Sequence, residues 1–207
     1  MTLRLSGATS GYTEIDAPAV AGNNTLLLPT GNGAADQALV TNGSGALSWS
    51  DRGRMTLGTA QTASGTAVDF TGIPSWVKRV TVMFNTISLT STAHYLVQIG
   101  SGSFATSGYS SGSGIAYGTN QTTNIQSTAG FVIVSGAGTN TVTGTMEIYS
   151  QTGTVWIASH ATTIVGGGAS GGGNSPSLGG TLDRVRITST SGTDTFDAGI
   201  VNILYEG

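Results

Sequence analysis

The stretch Arg79-Val80-Thr81-Val82-Met83-Phe84-Asn85-Thr86-Ile87-Ser88-Leu89 alternates from its start. Val80, Val82 and Phe84 share one face of an extended chain, and Thr81, Met83 and Asn85 share the other. Side chains of a β-strand point alternately to opposite faces, so a period of two predicts a strand with one face in a core. The run from Leu182 to Thr188 repeats the pattern, with Val185 and Ile187 inward and Arg184 and Arg186 outward. Outward from these two, Tyr95 to Ile99, Phe131 to Val134, Thr141 to Tyr149, Val155 to His160 and Asp197 to Glu206 read as further strands. A series of about eight or nine short strands with turn-rich connections predicts a jelly-roll-like β-sandwich over residues 55–207.

The last of these strands carries Val201, Ile203 and Tyr205 on one face and Ile200, Asn202 and Leu204 on the other. A strand apolar on both faces is buried on both. One face meets the core. The other is expected to meet a neighbouring subunit or, alternatively, a loop of the same chain.

Composition agrees with an all-β reading. Charged residues are 8% of the 207-residue chain, 33 residues are glycine, and the one lysine is Lys78. Thr suits pleated strands and Gly, Ser and Asn suit tight turns, whereas a helical protein of this size needs many more exposed Glu, Lys and Arg. Disorder is excluded by the modest net charge of −3 and the repeated apolar runs. With no cysteine there is no disulfide or thiolate metal site. The seven Lys and Arg are scattered, which argues against nucleic acid as a partner. No stretch approaches the ~20 apolar residues of a membrane span, and the opening MTLRLSGATSGY lacks the apolar core of a secretory signal. Work outside a cell would then follow release by lysis as part of a particle.

Residues 1–50 differ in texture. Thr13 to Asp16 and Thr25 to Leu28 form short extended pieces, the second ended by Pro29, and the strands Ala38 to Thr41 and Ala46 to Ser50 flank the hairpin turn Asn42-Gly43-Ser44-Gly45. A segment this short cannot enclose a core alone and needs disulfides, metals or oligomerisation. The expectation is an intertwined segment in which three copies share one core, forming a homotrimer. The charge burst Asp51-Arg52-Gly53-Arg54 marks the boundary with the larger domain.

Chemistry is poorly signalled. Gly108-Tyr109-Ser110-Ser111-Gly112 matches the serine-hydrolase pattern GxSxG, but Ser-Gly-Ser-Gly follows where that elbow needs a helix. Gly166-Gly167-Gly168-Ala169-Ser170-Gly171 matches GxGxxG, yet Gly172 to Pro176 cannot start the helix that would hold pyrophosphate, so Gly166 to Pro176 reads as a long flexible loop. Asp194 and Asp197 flank Phe196 and read as turn residues before a calcium site, and two histidines make a poor transition-metal site. Neither a catalytic group, a metal nor a cofactor is expected. Binding is expected from aromatics. Alternation puts Trp156, Ala158 and His160 on one face and Val155 and Ile157 on the other; if the aliphatic pair takes the core, Trp156 and His160 face outward or into an interface. Tyr109 and Tyr117 lie in a Gly/Ser-rich stretch, as tyrosines do in adaptable recognition loops. Tyr109, Tyr117, Trp156 and His160 are therefore the candidate ligand contacts, with subunit packing as the alternative for Trp156.

The segment from Ser10-Gly11-Tyr12 to Leu26-Leu27-Leu28-Pro29, followed by Gln37-Ala38-Leu39-Val40-Thr41-Asn42-Gly43-Ser44-Gly45-Ala46-Leu47-Ser48-Trp49, resembles a segment of phage tail fibres and related virion proteins, notably of marine and cyanobacterial phages. The closing Phe196-Asp197-Ala198-Gly199-Ile200-Val201-Asn202-Ile203-Leu204-Tyr205 looks like the last strand of jelly-roll heads in the same proteins. The resemblance implies a trimeric β stem and a trimeric head, virion assembly, and often host-receptor binding; it supplies no catalytic residue. Complete fibres begin with a long tail-attachment domain that this sequence does not carry. The expectation is a virion protein on the tail fibre or the capsid surface, docked on another virion protein through residues 1–50. As a fibre tip it would contact a host-surface polysaccharide; as a capsid decoration or head-fibre protein it would have no ligand. A polysaccharide depolymerase is the third reading, disfavoured by small size and by the lack of an identifiable acid pair.

Overall fold

Every element of the computed structural model is a β-strand. It describes residues 3–20, 22–51, 53–117, 121–135 and 140–207, and for residues 117, 121 and 122 the backbone only. The chain divides into two compact units, Met1–Arg52 and Gly53–Gly207.

The first unit is two separate hairpins. Strands β1 (Leu3–Ser6) and β2 (Tyr12–Ile15) pair antiparallel, with the Arg4 Nε donating to Glu14 at 2.8 Å and its guanidinium 4.0 Å from the Tyr12 ring centroid. Strands β3 (Ala38–Thr41) and β4 (Leu47–Ser50) pair across the expected turn. There the Asn42 side chain accepts from the N–H groups of Ser44 and Ala46, and Gly43 and Gly45 take the positive φ the turn requires. Leu27 makes a single parallel bridge to Ala46, and Trp49 Nε1 donates to Gly31 O at 2.9 Å. Among the described residues no core joins these parts. Leu3, Leu5, Tyr12, Ile15, Leu26, Leu27 and Leu28 are all more than half exposed. An isolated two-stranded hairpin is at best marginally stable in water.

The second unit is a sandwich whose connections follow a jelly roll. It begins with a broken edge strand, β5 (Met55–Leu57) and β6 (Gln61–Thr62), both halves of which pair with the same partner. Then come β7 (Ala67–Thr71), β8 (Arg79–Leu89), β9 (Tyr95–Ser101), β10 (Ser103–Phe104), β11 (Ser110–Tyr117), β12 (Gln121–Ser127), β13 (Phe131–Ile133), β14 (Val142–Ser150), β15 (Trp156–Ile164), β16 (Gly167–Asn174), β17 (Arg184–Ser189) and β18 (Phe196–Glu206). One sheet contains the order β5/β6-β18-β8-β14, and the other β7-β17-β9-β13, every pairing antiparallel. Counting only these eight positions along the chain, the first sheet is first-eighth-third-sixth and the second is second-seventh-fourth-fifth. That wrapping of paired ribbons is the double Greek key of a jelly roll. The sheets meet over Val80, Val82, Phe84, Val97, Ile99, Val185, Ile187, Val201 and Ile203, none more than 3% exposed. The alternation read from Arg79 and from Leu182 is the alternation of this core.

Two insertions enlarge the first sheet. Strands β15 and β16 lie between the sixth and seventh positions, and β11 and β12 between the fourth and fifth; together they continue the sheet beyond β14 in the order β15-β16-β11-β12. The stretch Gly166 to Pro176, expected to be a flexible loop, is therefore largely the interior strand β16. Its glycines hid the strand because they carry no side-chain alternation. The Gly/Ser-rich stretch between Tyr109 and Tyr117 is likewise a strand, β11, and not a recognition loop.

Candidate binding surfaces

Strand β15 fixes the fate of two candidate contacts. Its burial alternates strictly, with Trp156, Ala158, His160, Thr162 and Ile164 inward and Ile157 exposed. Trp156 is 2% and His160 5% exposed. The expectation that Val155 and Ile157 hold the core while Trp156 and His160 face out is thus reversed. The reason is the neighbouring strand. Across the ladder, His160 stands opposite Gly171 of β16, and a Cβ on Gly171 would lie 2.9 Å from His160 Nε2. The imidazole fits because no side chain competes for its place.

Tyr109 is also buried, at 2% exposure. Its ring packs edge-on against Phe131 with centroids 5.1 Å apart, and its hydroxyl both accepts from Ile99 N–H at 2.9 Å and faces Ile99 O at 3.3 Å. It fills the gap left on the β9 edge between the pairings to β13 and to β10. Burial pushes its pKa up to about 12. Tyr109 thus packs into the interior and bridges the β9 edge, instead of standing exposed in a recognition loop. The side chain of Tyr117 lies outside the described residues. Of the four candidate contacts, the structure brings Tyr109, Trp156 and His160 into the interior.

The hydroxyls of β11 have a related task. The open edge of β13 is satisfied by side chains: Ser111 Oγ donates to Gly130 O at 2.7 Å and accepts from Val132 N, and Ser113 Oγ accepts from Val134 N. Buried backbone groups must find partners, and serine supplies them here in place of a strand. The GxSxG match has no helix after it; Ser110 begins β11 and Ser111 is one of these edge caps. The GxGxxG match runs into β16 and offers no helix N-terminus. Asp197 accepts from Ser88 Oγ, and Asp194 is held in its turn by Ser191. Among the described residues there is no group of three or more His, Asp or Glu placed to hold a metal ion.

Among the described residues neither ring nitrogen of His160 makes a hydrogen bond of ordinary geometry, although the Val132 backbone lies near the ring. Burial is the main cause that pushes its pKa down to about 4, opposed weakly by the nearby Val132 carbonyl. The sign of the pH dependence follows. An unfolded histidine titrates near 6.5, so between about pH 6.5 and 4 the unfolded chain takes up a proton that the folded chain refuses. Stability is full above pH 6.5 and falls by about 3 kcal/mol in total by pH 4. Burial lowers the pKa of His94 as well, which adds in the same direction. Urea midpoints at pH 7.5 and 4.5 are expected to show this loss, and a His160→Leu chain, which keeps an apolar side chain in the site, is expected to lose most of it.

What the sequence did not single out lies on the outer face of the smaller sheet. Arg186 forks onto Asp69, with Nε and Nη2 each 2.7 Å from a carboxylate oxygen, and Arg184 does the same to Asp183 at 2.7 and 3.1 Å. Both guanidiniums sit over the Phe104 ring, at 4.1 Å for Arg186 and 5.6 Å for Arg184. The outward pattern Arg184-x-Arg186 was legible. Its partner Asp69 was not, because β7 is five residues long and carries only Val68 and Phe70 as a core signal.

On the opposite side of the molecule, the outer face of the larger sheet is apolar near its β5 end. Met55, Leu57 and Ile200 are each 45% exposed or more, and Leu57 stands beside Leu204 in the ladder. The outward side chains of β18 are therefore not covered by a loop of their own chain at Ile200.

Comparison of the chain with protein-family models, with curated proteins and with solved structures finds no match.

Proposed function

We propose that this chain is a trimeric structural protein of a bacteriophage virion, which attaches through residues 1–50 and displays the jelly-roll unit as a head. The observation that carries the reading is the coreless first unit. It leaves eight large apolar side chains more than half exposed, from Leu3 to Leu28, an arrangement that water penalises and that other copies or a docking protein would cover. The resemblance of residues 10–49 and 196–205 to virion fibre proteins supports the particle, and the exposed outer face of β5 and β18 supplies a second surface for contact between copies. The chain acts in this reading by binding and not by chemistry.

Within it, the head belongs to a tail fibre that contacts a host-surface glycan. A capsid decoration role is the second reading, favoured by the burial of Tyr109 and Trp156, two of the aromatic contacts expected for a sugar. Antibody raised against the second unit and imaged on intact particles by electron microscopy tests both. Label at the fibre tip supports the first and label over the capsid the second, while particles without label overturn the virion reading. Phage encoding a chain that starts at Gly53 is expected to make soluble, β-rich protein that is missing from its particles. Incorporation at normal levels would place the anchor elsewhere.

A further inference from the structure

Beside Arg186 the outer face of the smaller sheet carries a groove of about 350 Å³. Its floor is Leu96, Ala67 and Ala129, and its walls are Gln98, Arg186 and the hydroxyl run from Thr188 to Ser191. The main polar groups are held within the chain, by one bond at Gln98 and Thr188 and by two at Arg186, and keep capacity for another. Gln98 Nε2 donates to Ala129 O at 2.8 Å, which leaves Oε1 as an acceptor. The Thr188 hydroxyl donates to Thr66 O at 2.8 Å and retains its lone pairs. Ser189 and Ser191 bond to each other at 3.1 Å. Arg186 spends Nε and Nη2 on Asp69, so Nη1 stands outside the fork, on a guanidinium fixed by the carboxylate and by Phe104. Polar groups on strands, locked before any ligand arrives, lose little entropy on binding.

The lining also defines the ligand. Its one charge is Arg186, already neutralised by Asp69, so neither an anion nor nucleic acid finds a surplus of positive charge. We infer that this groove holds an uncharged, hydroxyl-rich saccharide unit, hydrogen-bonded to Gln98 Oε1, Arg186 Nη1 and the Thr188 hydroxyl. The Phe104 ring, under two guanidiniums, gives no open stacking face. Single-site affinity is then weak, and useful binding comes from three linked copies.

The inference rests on the receptor reading, and the two fail separately: particle labelling reads where the chain is, and sugar binding reads this groove. Saturation-transfer NMR on the full chain, with D-glucose, D-galactose, D-mannose and N-acetyl-D-glucosamine at tens of millimolar, is the test. At least one neutral sugar is expected to give signal. That signal is expected to fall at least about fivefold in Ala67→Trp, which fills the groove, and in Arg186→Gln, which removes a donor, with unchanged melting in the second. No signal from any of the four sugars, equal signal in Arg186→Gln, or a stronger signal from D-glucuronate would overturn the inference.

Discussion

Gly171→Val is expected to destroy the head, while Gly179→Ala is expected to leave it intact. A Cβ at Gly171 would stand 2.1 Å from Gly112 O and 2.7 Å from Ser113 Cα, both on the backbone of β11, which cannot rotate aside as a side chain can. The two strands must part. Their separation pulls Ser111 and Ser113 away from the β13 edge they satisfy, so Gly130 O and the N–H groups of Val132 and Val134 lose their partners. Overpacking costs about 1–3 kcal/mol, and each buried backbone group left unpaired adds about 1–3 kcal/mol. The total, above about 4 kcal/mol, is a large fraction of any domain's stability. At Gly179 a Cβ meets nothing within 4 Å, and the change is expected to stay within about 0.5 kcal/mol. Thermal melts followed by circular dichroism compare the two. Native-like melting of Gly171→Val would mean that β16 does not lie against β11.

Trp156→Ala is expected to lower stability by about 3–5 kcal/mol, the range for removing a large buried aromatic. Trp156 is among the largest fully packed side chains of the core, and its backbone is fixed on both sides, Ser175 Oγ accepting from its N–H at 3.0 Å and its carbonyl accepting from Ser175 N–H at 2.8 Å. The cavity cannot collapse without moving this junction between β15 and the chain after β16. For a unit of this size the loss corresponds to a fall of about 10 °C in melting temperature. A surface tryptophan serving as a sugar contact would melt unchanged after the same substitution, so one melting curve separates the two roles of this residue.

The strands of the jelly-roll core were legible in the sequence wherever apolar residues alternate with polar ones, as in β8 and β17. The N-terminal hairpin was legible from turn chemistry at Asn42 to Gly45. Of the inserted strands β15 was legible, as Val155 to His160, whereas β11, β12 and β16 were not. In β16 seven of eight residues are Gly, Ala or Ser with no apolar face to mark, so a strand looked like a loop. That single misreading carried a second one. With β16 absent, nothing showed that a slot without side chains lies beside β15, and Val155 and Ile157 looked better suited to the core than Trp156 and His160. Tyr109 was misplaced for a related reason: its burial depends on a vacancy in the edge of β9, which appears only once β10 and β13 are seen to pair with different parts of that strand. Charge was more informative than assumed, since the scarce Asp69, Asp183, Arg184 and Arg186 gather on one face with Phe104.

The central claim is that the first unit is completed by other copies of the chain. Leu3, Leu5, Ile15 and Leu26 to Leu28 have no cover of their own, and burying such side chains is worth roughly 1.5–3 kcal/mol each, ample to drive association. Sedimentation equilibrium of the full chain at micromolar concentration measures this directly. A single species of three times the chain mass is the predicted result, and a monomer across the same concentrations would contradict the account.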